Sequence, residues 1–352
     1  MRLFCVSLIV ACLVALTAQG EIQISKIVGK ETPGGDYKHP ASITELVNGD
    51  LYLAWYGGQG EYEGDTKDWG MRLRKGETNW QGPWVIADTP NRGDGNPVVW
   101  QAPDGIVWLF YVVRFGDTWS ESRIMGKISK DGAQTWSDSF VVDWELGSMV
   151  RCKPLDLGSG NFLLPIYRET GHDREVVGAD TASLFLRYDA AANTFTETNL
   201  VHSRIGNLQP SVVAITNDYL VAYSRRGGGY IDVKDGYVVR TESKDAGRTW
   251  SPGTETKIPN PNSAVDLLKL QNGHILLVYN ESMNERTPLT VSISTDNEQT
   301  WTSKKNLLDG KDDYAYPYAI QTKDGKIHII FTQEIRTVIM HAVFEESDIV
   351  KP

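Results

Sequence analysis

Residues 243–250 read SKDAGRTW, and near copies stand at 129–136 (SKDGAQTW) and 294–301 (STDNEQTW). Two degenerate versions, LRKGETNW closing at Trp80 and YDAAANTF closing at Phe195, extend the series. The closing aromatics then fall 56, 59, 55 and 51 residues apart. A second ladder runs in phase with the first. Its rungs are VNGDLYLAW (47–55), PDGIVWLFY (103–111), GSGNFLLPI (158–166), TNDYLVAYS (216–224), QNGHILLVY (271–279) and KDGKIHIIF (323–331). A turn dipeptide before an alternating apolar run is a strong hairpin signal. A period of this length suits the blade of a propeller. One four-stranded sheet cannot bury both faces alone, whereas radial repetition covers the faces and leaves only short edges. The expected fold is all-β, a six-bladed β-propeller rather than a five- or seven-bladed one, with residues 21–352 forming a single domain.

Within each box the Ser and Asp can bond the turn backbone and the aromatic can pack between sheets. A catalytic triplet would not recur in several blades with its glycine replaced by Ala133 or Glu298. The boxes therefore read as structural, and they hold too few carboxylates for a calcium loop.

The first residues read as an export signal. Arg2 precedes an apolar run from Leu3 to Leu16, and Ala18-Gln19-Gly20 offers small residues for cleavage after residue 20. A lipoprotein signal at Cys12 fits less well, because the apolar run continues past it. The processed chain keeps one cysteine, Cys152, so no internal disulfide forms and the core must hold the fold. No further membrane span is expected. Net charge is -10, and removing Arg2 makes it -11. No basic tract invites nucleic acid or an anionic membrane. The expected place is the periplasm or the extracellular space.

The motif S-x-D-x-G-x-T-W, cleanest at 243–250, resembles the Asp-box or BNR repeat of the sialidase (neuraminidase) superfamily, and the resemblance covers nearly the whole processed chain. It implies a carboxylate clamp of three arginines, a Tyr nucleophile assisted by Glu, and an Asp acid/base. The first arginine of the family falls on Lys38 in DYKHPAS, with His39 beside it. The acid/base falls in the loop GGQGEYEGDTKD, where Glu61, Glu63, Asp65 and Asp68 stand and Asp65 is the choice. The assisting Glu falls on Gln209 in NLQPSVV. The second and third arginines fall on Arg225 and Arg286, and the tyrosine on Tyr316, with Tyr314 and Tyr318 as neighbours. Lys offers a point charge where Arg offers a fork, and Gln209 cannot take the tyrosine's proton. Cationic neighbours could still depress the Tyr316 pKa, and Glu169 or Glu334 could replace the missing carboxylate.

Further charged residues stand at expected strand ends and can converge on the axis: Arg151, Lys153, Arg168, Glu169, Arg226, Asp266 and Arg336. Of these, Arg151, Glu169 and Arg336 join the substrate-binding set. No spacing resembles a zinc site, and Gly227-Gly228-Gly229 lacks the lysine and helix of a phosphate loop. No cofactor is expected. Three functions remain open. The first is hydrolysis of a terminal acidic sugar, with Tyr316 at the anomeric centre and Asp65 as acid. The second is elimination on a uronic-acid glycan, with His39 as base, Tyr316 as acid and Arg225 or Gln209 at the carboxylate. The third is binding of an acidic glycan without turnover.

Overall fold

The apolar runs are rich in β-branched and aromatic residues and several are almost unbroken, the pattern of strands packed on both faces. A computed structural model of the chain describes residues 22–174, 176–230 and 234–350. The expected export signal lies outside them. Among the described residues the regular structure is antiparallel β-sheet, apart from two single 3-10 turns, Trp119–Glu121 and Glu346–Asp348. Six sheets form the six blades. No helix among them is long and apolar enough to cross a membrane.

The innermost strands are Tyr37–Glu45, Gly93–Gln101, Ser148–Val150, Asn207–Ala214, Asp266–Lys269 and Ala315–Gln321. Each pairs with one of the alternating runs: Leu51–Gly58, Val107–Arg114, Asn161–Arg168, Leu220–Arg226, Ile275–Asn280 and Ile327–Gln333. In the third blade the inner strand is interrupted and resumes as Leu155–Gly158 on the same partner. The second strands are the driest parts of the fold. Every residue of Leu51–Gly58 and Val107–Arg114 is buried. All six turn dipeptides link first to second strands. All five boxes link third to fourth strands, on the same face of the ring.

The boxes are a packing device. In the box at 129–136, Ser129 Oγ accepts the Ala133 N–H at 2.8 Å, and Asp131 accepts the Thr135 N–H at 2.9 Å and the Thr135 hydroxyl at 2.5 Å. The boxes at 243–250 and 294–301 repeat these bonds. These turns aim each aromatic at the preceding blade. Trp136 meets Tyr52, Trp250 stacks on Phe185 at 3.8 Å between centroids, and Trp301 meets Tyr223. The degenerate boxes do the same, Phe195 against Trp108 and Trp80 against His341.

The sixth blade has no box, because its outer strand comes from the other end of the chain. Gln23–Val28 pairs antiparallel with Val338–Phe344 and closes the ring.

At the axis, the fully buried Asp266 accepts Lys153 Nζ on both oxygens (2.8 and 2.7 Å), Ser211 Oγ at 2.7 Å and the Ala319 N–H at 2.7 Å. One carboxylate of the fifth blade thus ties the third, fourth and sixth. Asp266→Ala strands the Lys153 ammonium and two further donors, and should destabilise the fold by about 3–5 kcal/mol. Chemical denaturation checks this; a loss under about 1 kcal/mol would remove Asp266 from the core of the assembly.

Candidate active site

Four of the six innermost strands share one irregularity. Register breaks between Lys38 and Ala41, Gly95 and Val98, Leu208 and Ser211, and Ala315 and Tyr318. Each break holds an X-Pro pair: His39-Pro40, Asn96-Pro97, Gln209-Pro210 and Tyr316-Pro317. Proline lacks the N–H that a ladder would need, so it suits a bulge. Asn96, Gln209 and Tyr316 are held at φ 47°, 57° and 53°, a left-handed conformation that re-aims the side chain. All four residues before proline face one narrow cavity on the face opposite the boxes. Its other walls include Glu61, Trp119, Tyr167, Glu169, Arg225, Tyr230 and Arg336.

Tyr316 is the centre of the hydrogen bonding. Its Oη accepts from Arg225 Nη1 at 2.8 Å and from Gln209 Nε2 at 3.3 Å. Arg225 Nη1 also donates to Gln209 Oε1 at 3.3 Å, which fixes the amide with its NH₂ toward the tyrosine. Two donors on one phenol oxygen favour the phenolate. Burial works to raise the Tyr316 pKa, but Arg225, Arg286 and Arg336 outweigh it, and the net value lies below the usual 10. The guanidinium groups of Arg286 and Arg225 lie 5.4 and 5.9 Å from the ring centre. Glu169, half-buried in the same cavity, moves the opposite way. Burial pushes its carboxyl up to about 7 against the pull of Arg225.

His39 packs edge-on to Tyr316, with ring centroids 4.1 Å apart. Its Nδ1 lies 2.7 Å from Thr332 Oγ1, whose own proton goes to the Ala315 carbonyl at 3.1 Å. Nδ1 is therefore the donor, and the lone pair sits on Nε2, which is buried and meets no partner among the described residues. Burial and then Arg336, Arg286, Arg151 and Arg225 hold the His39 pKa well below 6.5. The ring is a neutral base.

The structure corrects several expectations. Lys38 does not join the clamp. It is buried, its Nζ donates to the Gly35 carbonyl, and it does not line the cavity. Adjacent residues of a strand point opposite ways, so turning His39 inward turns Lys38 out. Arg336 lines the cavity instead and, with Arg225 and Arg286, lowers the Tyr316 pKa. It reaches the cavity from a turn in which Glu334, Ile335 and Arg336 are all left-handed, at φ 53°, 51° and 64°. Such backbone costs roughly 1–2 kcal/mol per residue. Asp65 is exposed and spends its carboxylate on the Gln59 N–H, so it cannot serve as the pocket's acid. Of that loop's carboxylates Glu61 faces the cavity, where it pairs with Arg336 and accepts Trp119 Nε1 at 3.3 Å. Arg151 is not a substrate contact. Its Nη2 holds the Tyr316 and Pro317 carbonyls at 2.7 and 2.8 Å from behind. Arg286 lies behind Tyr230 and Tyr316 and does not line the cavity. Asn96, Trp119 and Tyr230 were missed. The repeated X-Pro pair was the signal that could have found Asn96.

Residues 49–329 match the family described as BNR repeat-like domain. No curated protein matches the chain in sequence. Among solved structures, the Hadza microbial sialidase Hz136 superposes with a TM-score of 0.78 at 14% identity, over 93% of this chain and 69% of that one. The NanB sialidase of Streptococcus pneumoniae gives 0.77 at 9% identity, over 93% and 71%. The α-L-arabinanase of Penicillium chrysogenum, complexed with arabinobiose, gives 0.66 at 13% identity, over 94% and 100%. At these identities the likeness is one of fold: a sialidase-like propeller.

The tyrosinate absorbance lost on Tyr316→Phe should titrate below pH 10, and Arg225→Met should move that titration upward by roughly one pH unit or more. An ordinary or raised titration in the unmodified protein would overturn the charge balance described for the site.

Proposed function

The chain belongs to the BNR repeat-like domain family, and from the pocket built on its propeller we propose that it is an enzyme hydrolysing the bond to a terminal acidic sugar. The observation that carries this reading is the divergence of two acids in one cavity: Tyr316 is pushed down and Glu169 up to about 7. Groups whose environments separate their pKa values in this way suit opposite roles. In its ionised form, which Arg225 favours, Tyr316 Oη forms a bond to the anomeric carbon. Glu169 donates its proton to the leaving oxygen as the glycosidic C–O bond breaks. Water then replaces Tyr316 at the sugar, giving its proton to the Glu169 carboxylate. Arg225 and Arg336, with Arg286 behind them, favour a sugar bearing an anion. With residues 1–20 read as an export signal, the glycan is met outside the cytoplasm.

A second reading is favoured by His39. A neutral imidazole with an unpartnered Nε2 could take the C5 proton of a uronic acid, with Tyr316 returning a proton to the leaving oxygen.

Mass spectrometry in oxygen-18 water separates the two, with sialylated and uronate oligosaccharides as substrates. Hydrolysis adds one labelled water across the products. Elimination adds none and leaves one unsaturated sugar. Substrates recovered unchanged across both classes would leave only the binding function.

For the hydrolase, Tyr316→Phe should lower kcat/KM by about 10²–10⁴-fold with the fold intact. The rate should fall as pH rises through about 7, because only protonated Glu169 donates. Glu169→Gln should remove that limb together with most of the activity. A pH profile flat from 6 to 8 would exclude Glu169 as the acid. For the lyase, His39→Gln would abolish the reaction.

A further inference from the structure

Each box opens a fourth strand on one face of the ring, so the strand ends on the other, the face that carries the cavity. The connection from the second blade to the third, residues 143–147, lies there. It is a braced turn. The Glu145 N–H donates to Asp143 Oδ1 at 3.1 Å, and the Gly147 N–H donates to the Ser122 carbonyl at 3.0 Å. The Gly147 carbonyl accepts the Glu169 N–H at 2.8 Å, and the two backbones run so close that a Cβ on Gly147 would stand 2.2 Å from the Glu169 carbonyl oxygen. Arg123 Nε donates to the Trp144 carbonyl at 2.7 Å. The same guanidinium lies 5.1 Å from the centre of the Phe115 ring. On this turn Trp144 is 71% exposed and Leu146 51%, and Phe115, joined to them through Arg123, is 40% exposed. Phe115 shares the loop between Val107–Arg114 and Ser122–Ser129 with Trp119, which lines the cavity. Apolar side chains exposed singly need no explanation, but a patch of three held at the rim of a cavity marks a binding surface.

We propose that Trp144 is the platform for the leaving group, and that the sugar next to the terminal residue lies with its apolar face on the indole. This rests on the reading of Glu169 as the acid and names what lies on its outer side. The leaving oxygen has to come within hydrogen-bond reach of the Glu169 carboxyl. Glu169 is also the cavity residue whose backbone is bonded to the Trp144 turn. The ring attached to that oxygen is therefore carried out of the cavity beside the turn. A pyranose presents a face of C–H groups while its hydroxyls stay in water, and an indole offers the matching apolar surface at small conformational cost. Glu145, exposed between Trp144 and Leu146, repels a second anion, so the ring on the platform is a neutral hexose. The enzyme then prefers an acidic sugar capping a neutral chain to the same sugar on a small alcohol or within an acidic polymer.

Two substrate pairs test this with the full chain: sialyllactose against methyl sialoside, and glucuronosyl-galactose against methyl glucuronide. Each pair offers the same acidic sugar on galactose or on a methyl group too small to reach Trp144. Rates are followed by mass spectrometry in the wild type, Trp144→Ala and Trp144→Phe. For the pair that is hydrolysed, Trp144→Ala should lower kcat/KM on the galactose-bearing member about tenfold relative to the methyl member. Trp144→Phe should recover most of that ratio. An unchanged ratio in Trp144→Ala, whether both rates fall or neither does, overturns the platform and leaves the hydrolase reading standing. If the wild type hydrolyses none of the four, the hydrolase reading falls and the platform with it.

Discussion

Everything at the axis of this propeller hangs on one buried carboxylate. Asp266 accepts a lysine from the third blade, a serine from the fourth and a backbone amide from the sixth. A charge without solvent is costly unless every lone pair is met. The bonds that meet Asp266 also fix the relative height of those four innermost strands. The catalytic candidates ride on the same strands. Gln209 lies two residues before Ser211, and Tyr316 three before Ala319. The placing of Tyr316 against Gln209 across two blades is therefore inherited from a contact deeper in the ring.

The site itself is governed by an excess of guanidinium over carboxylate around one phenol. Buried alone, Tyr316 would be a poor acid, as its buried neighbour Tyr167 is, whose pKa burial drives upward. Arginines on three different blades reverse that outcome. Gln209 fits this scheme. Where a carboxylate would draw the tyrosine's proton to itself, the amide donates into the phenol oxygen and leaves the cationic field to stabilise the ionised form. Burial, and behind it the same field, lowers the His39 pKa. One electrostatic asymmetry thus prepares two groups of opposite character side by side.

The fold was legible because its signals are local and repeated. The turn dipeptides, the alternation and the boxes recur in phase, and each maps onto the same link of each blade. What stayed hidden depends on chain geometry between repeats. The closing strand Gln23–Val28 has no box and no partner nearby in sequence. Lys38 stood in the expected motif position, but the bulge at His39-Pro40 decides which of two adjacent side chains faces the cavity. In the loop after the first hairpin four carboxylates were equivalent on paper, and the pairing with Arg336 and Trp119 distinguishes Glu61 from Asp65. Arg336 was legible as a charge at a strand end. Its reach into the cavity depends on a left-handed turn that no residue type in the order Glu-Ile-Arg announces.

The closure of the sixth blade carries a consequence for how the chain comes into being. Its first strand can pair only with Val338–Phe344, more than three hundred residues later. During synthesis that strand must wait with its edge unpaired until almost the whole chain has emerged, and such edges invite wrong partners. The ring is accordingly assembled as five boxed blades that can each form from contiguous chain, plus one that is sealed last. Seams of this kind concentrate slow, long-range pairing in a single step. The seam between Gln23–Val28 and Val338–Phe344, rather than any boxed blade, is the pairing that closes the ring.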